Sequence, residues 1–224
     1  MKVGLQALVS AVVGFAVFAV LVFVPAGTFD YWQGWAFIAV FAVVTMAPSI
    51  YLAVNDPAAL RRRMQAGPTA ETRPVQKFAS ATAFVLLAVM IVAAALDYRL
   101  GWSYVPTAVS VLGDALVATG LGIAMLVVIQ NRYAAANVKV ETGQTVVSTG
   151  LYGLVRHPMY FGNVVMMLGI PIALGSWWAL LLVLPGIAML VIRIRDEELM
   201  LGRELDGYVD YTRKVRYRLL PFVW

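Results

Sequence analysis

Apolar residues fall in six long blocks, approximately 5–24, 35–54, 78–96, 105–129, 159–174 and 177–192, with polar connections between them. Unbroken apolar runs of about 20 residues predict helices that cross a bilayer, because a rise of about 1.5 Å per residue must cover about 30 Å of hydrocarbon. The first four blocks meet that length. The last two reach only about 24 Å each by the same rise. Gly175-Ser176 joins them, which predicts a tight antiparallel hairpin and leaves open whether it crosses fully. The pattern predicts an all-α polytopic integral-membrane protein with about six apolar helical segments.

Two polar stretches interrupt this pattern. Residues 130–158 are too long for a simple turn, and loops of that length tend to be functional. Residues 193–224 mix charges with Tyr208, Tyr211, Tyr217, Phe222 and Trp224. That mixture predicts an amphipathic tail helix lying on the membrane face. The chain thus divides into four N-terminal spans, 1–129, and a region 130–224 of loop, hairpin and tail where chemistry is expected.

Composition agrees. The chain is 62% hydrophobic and 13% charged, with a mean hydropathy of +0.82; soluble domains carry roughly 45–50% apolar and about 25% charged residues. Only Lys2 precedes the first block, which exceeds a signal-peptide core of about 7–15 residues, so it is expected to be a retained span. Connection 55–77 carries Arg61, Arg62, Arg63, Arg73 and Lys77, and connection 130–158 carries Arg132, Lys139 and Arg156. The tail adds seven more basic residues from Arg193 to Arg218, whereas the turns near 25–34 and 97–104 hold only Arg99. This asymmetry places both termini and the long connections in the cytoplasm. The net charge of +5 then reads as basic loops near anionic lipid, with no nucleic-acid partner. The short alanine- and valine-rich chain looks like a prokaryotic plasma-membrane protein. The absence of cysteine excludes disulfides and thiol catalysis. One histidine without cysteines argues against a zinc or other metal site.

That histidine lies in "GLYGLVRHPMYFG", residues 150–162. Pro158 suits the first turn of a helix, where its missing N–H costs nothing. His157 then sits just outside the positive end of that helix. Taken alone, the motif is equally a membrane-interface cap with a snorkelling arginine. The second cluster is "RIRDEELM", residues 193–200. Arg193 and Glu197 are four apart and share a helix face, while Glu198 points about 100° away. An exposed pair of this kind is worth only about a few tenths of a kcal/mol. The short hairpin turn, however, brings His157 and Glu197 out side by side.

"TGLYGLVRHPMYFG", followed by "RIRDEE" and then "GYVDYTRKVRYRLLPF", resembles the isoprenylcysteine carboxyl methyltransferase and phospholipid methyltransferase family of integral-membrane enzymes. The resemblance runs from about Asn137 to Phe222. It implies S-adenosylmethionine as cofactor, held by Asn137, Gln144, Thr145, Val146, Val147, Tyr152, His157, Pro158, Met159, Tyr160 and Glu197. It further implies that Arg193 faces the substrate and works with Glu197 in catalysis. Asn137 stands where a glutamine is familiar, Gln144 where a histidine is common, and Asp206-Gly207 replaces the usual Phe-Gly.

The chemistry fits those residues. Aromatic faces attract a sulfonium, a carboxylate accepts from ribose or ammonium, and His157 is expected as a donor to the cofactor's polar part. The Gly-rich strand–turn–helix of a Rossmann site is missing. The implied reaction is methyl transfer to an amphipathic isoprenoid or lipid acceptor, with carboxyl O-methylation foremost. A carboxylate needs no base and suits a bidentate Arg193; an amine needs Glu197 or Glu198 as base. Three alternatives stand beside it: phospholipid amine N-methylation, an NADPH-dependent sterol- or isoprenoid-type reductase, and a non-catalytic scaffold. The 130–158 loop offers no dedicated basic cluster for the extra phosphate of NADPH. Asp114 is an intramembrane acid expected against packed helices or the outer interface. Gly120 and Gly122 are expected at close helix contacts, and Met166, Met167 and Met189 in the hairpin packing or a lipid-tail groove.

Overall fold

Prolines and glycines cut the apolar chain into helices. The computed structural model describes residues 2–64, 67–131, 133–134, 140 and 143–224. The elements are α1 (Lys2–Ala26), α2 (Trp32–Asn55), α3 (Pro57–Met64), α4 (Pro74–Leu100), α5 (Thr107–Gln130), α6 (Pro158–Ala173), α7 (Val183–Glu204) and α8 (Tyr208–Lys214). Prolines at the first positions of α3, α4 and α6 supply a helical φ where no N–H partner exists. Gly101 closes α4 in the left-handed region at φ 64°, its N–H returning to Asp97 and Tyr98 carbonyls.

Among the described residues, five helices are long and apolar enough to cross a membrane: α1, α2, α4, α5 and the continuous Trp178–Glu204 segment that contains α7. The sixth, α6, has 16 residues and is shorter. The all-helical polytopic expectation holds among the described residues. The second hairpin arm, apolar over 177–192, continues as helix through Glu204, in keeping with the helical spacing of Arg193 and Glu197. The charged "RIRDEELM" does not end it, because its side chains find lateral partners and nothing in it breaks a helix.

The close partner of α6 is α5. A Cβ on Gly120 would lie 2.4 Å from the Gly162 carbonyl oxygen, and one on Gly113 would lie 2.2 Å from the Ala173 nitrogen. Gly169 likewise meets the Gly113 carbonyl at 2.7 Å. Without side chains between them, the two backbones touch, as small residues permit in a membrane. Gly120 therefore does what its sequence context predicted, but Gly122 faces open space. The hairpin proper is held elsewhere: Met167 fills the notch at Gly186, and polar side chains join the ends of α6 and α7.

The best-packed core, with Phe37, Met90, Ile91, Val117, Ile170 and Leu174 fully enclosed, lies toward the end remote from the long connections. There the turns are tied together. Tyr31 stacks on Tyr98 at 4.0 Å and donates to the Leu174 carbonyl at 2.5 Å, while Tyr98 donates to the Asp30 carbonyl. Ser103 and Ser176 both donate to Asp97. Asp114 is buried in α5, near Gly113 and far along the chain from the loop-rich end.

The tail departs from the expected amphipathic helix. Within 193–224, helix continues from α7 through Glu204 and resumes over Tyr208–Lys214; Gly207 at φ 80° turns into the second piece. The irregular stretch that follows folds back on the α6 approach, with Arg156 N–H on the Tyr217 carbonyl and His157 N–H on the Arg218 carbonyl, each 2.9 Å. The backbone donors that precede α6 are thereby satisfied.

Candidate active site

At the loop-rich end, α7 sends its polar side chains in three directions. Glu197 accepts from the Tyr160 hydroxyl at 2.6 Å. That same hydroxyl accepts from Arg193 Nε at 2.9 Å. So Arg193 and Glu197, one turn apart, are joined through Tyr160 of α6. Arg193 Nη2 then reaches Glu71 Oε1 at 2.6 Å, giving an unbroken polar chain Glu71–Arg193–Tyr160–Glu197.

A second pair of opposite polarity lies beside it. Arg73 makes a fork on Asp196 at 2.9 and 2.6 Å, and Gln76 donates to Asp196 Oδ2 at 2.7 Å and to the Arg193 carbonyl at 3.0 Å. Its hydrogen bonds to Asp196 hold the Arg73 guanidinium above the usual arginine range. An acid and a base two apart in the α3–α4 connection thus clamp a base and an acid three apart on α7.

Glu198 faces the third direction. Its Oε1 takes Arg156 Nη1 at 2.8 Å and lies 3.3 Å from His157 Nε2, while its Oε2 takes Arg218 Nε at 2.8 Å. The three elements that resemble the family motif therefore meet on one carboxylate. His157 is 6% exposed and its Nε2 is engaged by Glu198, so its first partner is protein. Its ring stacks on Tyr160 with centroids 5.6 Å apart.

These contacts wall a cavity. Gln144, Thr145, Val146, Val147, Tyr152, His157, Pro158, Met159, Tyr160 and Glu197 all line it. Asn137 lies outside the described residues. Arg193 does not line this cavity. It lines a neighbouring apolar cleft of about 350 Å³ between α4, α5, α6 and α7, together with Phe84, Leu121, Asn163 and Leu190. Ala134, Met159 and Tyr160 belong to both walls. Met166, Met167 and Met189 line a further apolar groove that also ends at Arg193.

Several cavity residues were not expected from sequence. Asn131, Tyr133, Met200, Leu201, Leu205, Tyr208 and Tyr211 complete the wall. Asn131 donates to the Tyr152 hydroxyl at 3.1 Å, and Tyr211 donates to the Tyr152 carbonyl at 2.8 Å. Burial pushes the Tyr152 phenol up to about 12, and the charge of Glu197 adds to this. Burial raises Tyr208 and Tyr211 as well, with the Glu198 charge as a further cause in both. Among the described residues, the buried Tyr208 hydroxyl has no hydrogen-bond partner.

The donor set can be tested against a sulfonium nucleoside. Such a ligand needs aromatic faces for its cation, a carboxylate for ribose hydroxyls or ammonium, and polar backbone for its base. Tyr152 and Tyr160, Glu197, and the irregular segment 144–147 supply these on one cavity. The residues fit. Among the described residues, no group of three or more acidic or histidine side chains is placed to hold a metal ion.

Residues 108–204, covering α5, α6 and α7, match the phospholipid methyltransferase family. The chain carries a phospholipid methyltransferase-family region. Tyr152, His157, Tyr160, Arg193 and Glu197 all fall inside it. Over 86 residues, 37% of the chain, it is 35% identical to Delta(14)-sterol reductase TM7SF2 of Mus musculus. Those residues make up 21% of the reductase, so the chain spans about one-fifth of that relative's length. The whole fold is similar to a solved eukaryotic intramembrane Ras methyltransferase, isoprenylcysteine carboxyl methyltransferase, with a TM-score of 0.50 at 15% identity, covering 97% of this chain and 86% of that one. The family region thus sits in a chain with the fold of a membrane methyltransferase, and helices α1 to α4 extend the likeness beyond it.

Proposed function

We propose that the chain is an S-adenosylmethionine-dependent methyltransferase acting on an amphipathic lipid or isoprenoid acceptor. The cofactor would lie in the cavity lined by Gln144–Val147, Tyr152, His157–Tyr160 and Glu197. The acceptor's chain would lie in the apolar cleft, with its head at Arg193. One observation carries this reading. Tyr160 belongs to both walls, and its hydroxyl joins Glu197 of the polar cavity to Arg193 of the apolar cleft. A polar ligand and a greasy one therefore have adjacent places, as transfer between them requires.

S-Adenosylmethionine supplies an electrophilic methyl group on a sulfonium. This chain's residues do the positioning. Arg193 orients the acceptor head, and Glu71 and Tyr160 fix Arg193 in turn. Glu197, held by Tyr160, keeps a carboxylate at the junction of the two chambers. Met159, Phe84, Leu121 and Leu190 keep water from the acceptor side. Much of a displacement's rate can come from such alignment. A carboxylate acceptor on Arg193, giving a methyl ester, is the finer reading.

A second reading, N-methylation of a phospholipid amine, is favoured by the Arg193–Glu71 pair at 2.6 Å. A carboxylate acceptor must compete with Glu71 for that guanidinium, whereas an amine need not. Membranes carrying the protein, incubated with methyl-labelled S-adenosylmethionine, decide between them. Label extracted into lipid and released as methanol by base supports the ester. Base-stable label supports the amine. No label above vector-only membranes overturns both.

A further inference from the structure

Beside the cavity lies a second cleft of about 490 Å³, whose wall includes Arg156, Arg195, Glu198, Tyr208, Thr212 and Arg218. Three guanidiniums face one carboxylate there, which leaves an excess of positive charge. Arg156 is spent: its nitrogens go to Glu198 and to the Val215 and Arg216 carbonyls. Arg218 gives only Nε to Glu198 and spreads over the Trp224 ring at 5.2 Å. Arg195 is exposed. Tyr208, 5% exposed, also lines the cleft. Arginine donors left over at a cleft suit the oxygens of a phosphate.

The surroundings identify the phosphate's source. Ile192, Arg195 and Leu199 follow one another at spacings of three and four, so they form one stripe along α7. Ile192 and Leu199 are 42% and 59% exposed, and Val209, on the cleft rim, is 50% exposed. An arginine inside an exposed apolar stripe, where an apolar membrane helix turns polar, sits at headgroup depth with its stem among acyl chains. We propose that this cleft binds the phosphate of an anionic phospholipid headgroup through Arg195 and Arg218, with the acyl chains along Ile192 and Leu199. The site is independent of the methyltransferase reading and shares with that cavity only Arg156 and Tyr208.

The test titrates the full chain in nonionic detergent with short-chain phosphatidylglycerol, phosphatidylcholine and inorganic phosphate, reading tryptophan emission. The Trp224→Phe variant isolates the reporter stacked on Arg218. Phosphatidylglycerol should saturate a Trp224-dependent change. Arg195→Gln should weaken it about tenfold, while Arg61→Gln, a basic residue on α3, should leave it unchanged. Equal binding by Arg195→Gln, or saturation without a Trp224-dependent change, overturns the site. Inorganic phosphate binding as tightly as phosphatidylglycerol overturns the lipid assignment, and phosphatidylcholine doing so overturns the preference for anionic lipid.

Discussion

Arg193 and Glu71 meet at 2.6 Å although 122 residues separate them. The Glu71 side chain is fully enclosed and that of Arg193 is 11% exposed. Removing one partner of a buried pair strands the other charge, at a cost of about 3–5 kcal/mol. Glu71→Gln should therefore lower stability by about 3 kcal/mol in denaturant titrations in detergent. The Glu71→Met, Arg193→Met double variant should regain much of that loss. Equal loss in single and double variants would mean the two charges are not coupled.

Tyr160 is the hinge between the two chambers. Tyr160→Phe deletes the group that both Arg193 and Glu197 use, at a cost of about 1–3 kcal/mol for the buried partners left short. Affinity for S-adenosylhomocysteine should fall more than tenfold, while circular dichroism keeps the helical signal of wild type.

The α5–α6 contact gives a paired prediction. Gly120→Ala drives a methyl group to within 2.4 Å of the Gly162 carbonyl, and backbone there cannot yield cheaply, so a loss of about 1–3 kcal/mol is expected. Gly122→Ala has nothing within 4 Å and should be neutral or stabilising by up to about 1 kcal/mol. Thermal unfolding of the two variants side by side checks this.

Alkaline pH should loosen the wall of the cavity. Burial raises Tyr152 from 10.0 to about 12, so the folded state keeps a proton that the unfolded chain has lost. Stability from this group is complete below about pH 10 and is lost as pH rises toward 12. Tyr208 and Tyr211 are shifted the same way. The unfolding midpoint should fall steadily above pH 10, less steeply in Tyr152→Phe.

Much of the bundle was legible because apolar run length reports spans directly. The ends of α1, α2, α4 and α5 fall within a few residues of the apolar blocks. The helical continuation of α7 into "RIRDEELM" was legible, but its packing was not. "RIRDEELM" reads as a solvated amphipathic continuation; in the structure Glu71, Arg73, Arg156 and Arg218 pair with it and hold it against the bundle. Those partners come from distant segments whose polar residues carry no periodicity. Likewise, local spacing put Arg193 and Glu197 on one face, but it could not show that Tyr160 stands between them. The tail's aromatic and basic residues suggested a surface helix; the stretch after α8, held by the backbone bonds from Arg156 and His157, is a strap instead. The cavity lining was legible through the motif, and Tyr208 and Tyr211 joined it only once α8 was in place.

The most direct measurement is calorimetric titration of the detergent-purified chain with S-adenosylhomocysteine and, separately, NADPH. Saturable binding of S-adenosylhomocysteine alone is predicted, lost or weakened at least tenfold in Glu197→Gln. Binding of NADPH alone, or wild-type affinity for S-adenosylhomocysteine in Glu197→Gln, would contradict the placement of a sulfonium nucleoside between α6 and α7.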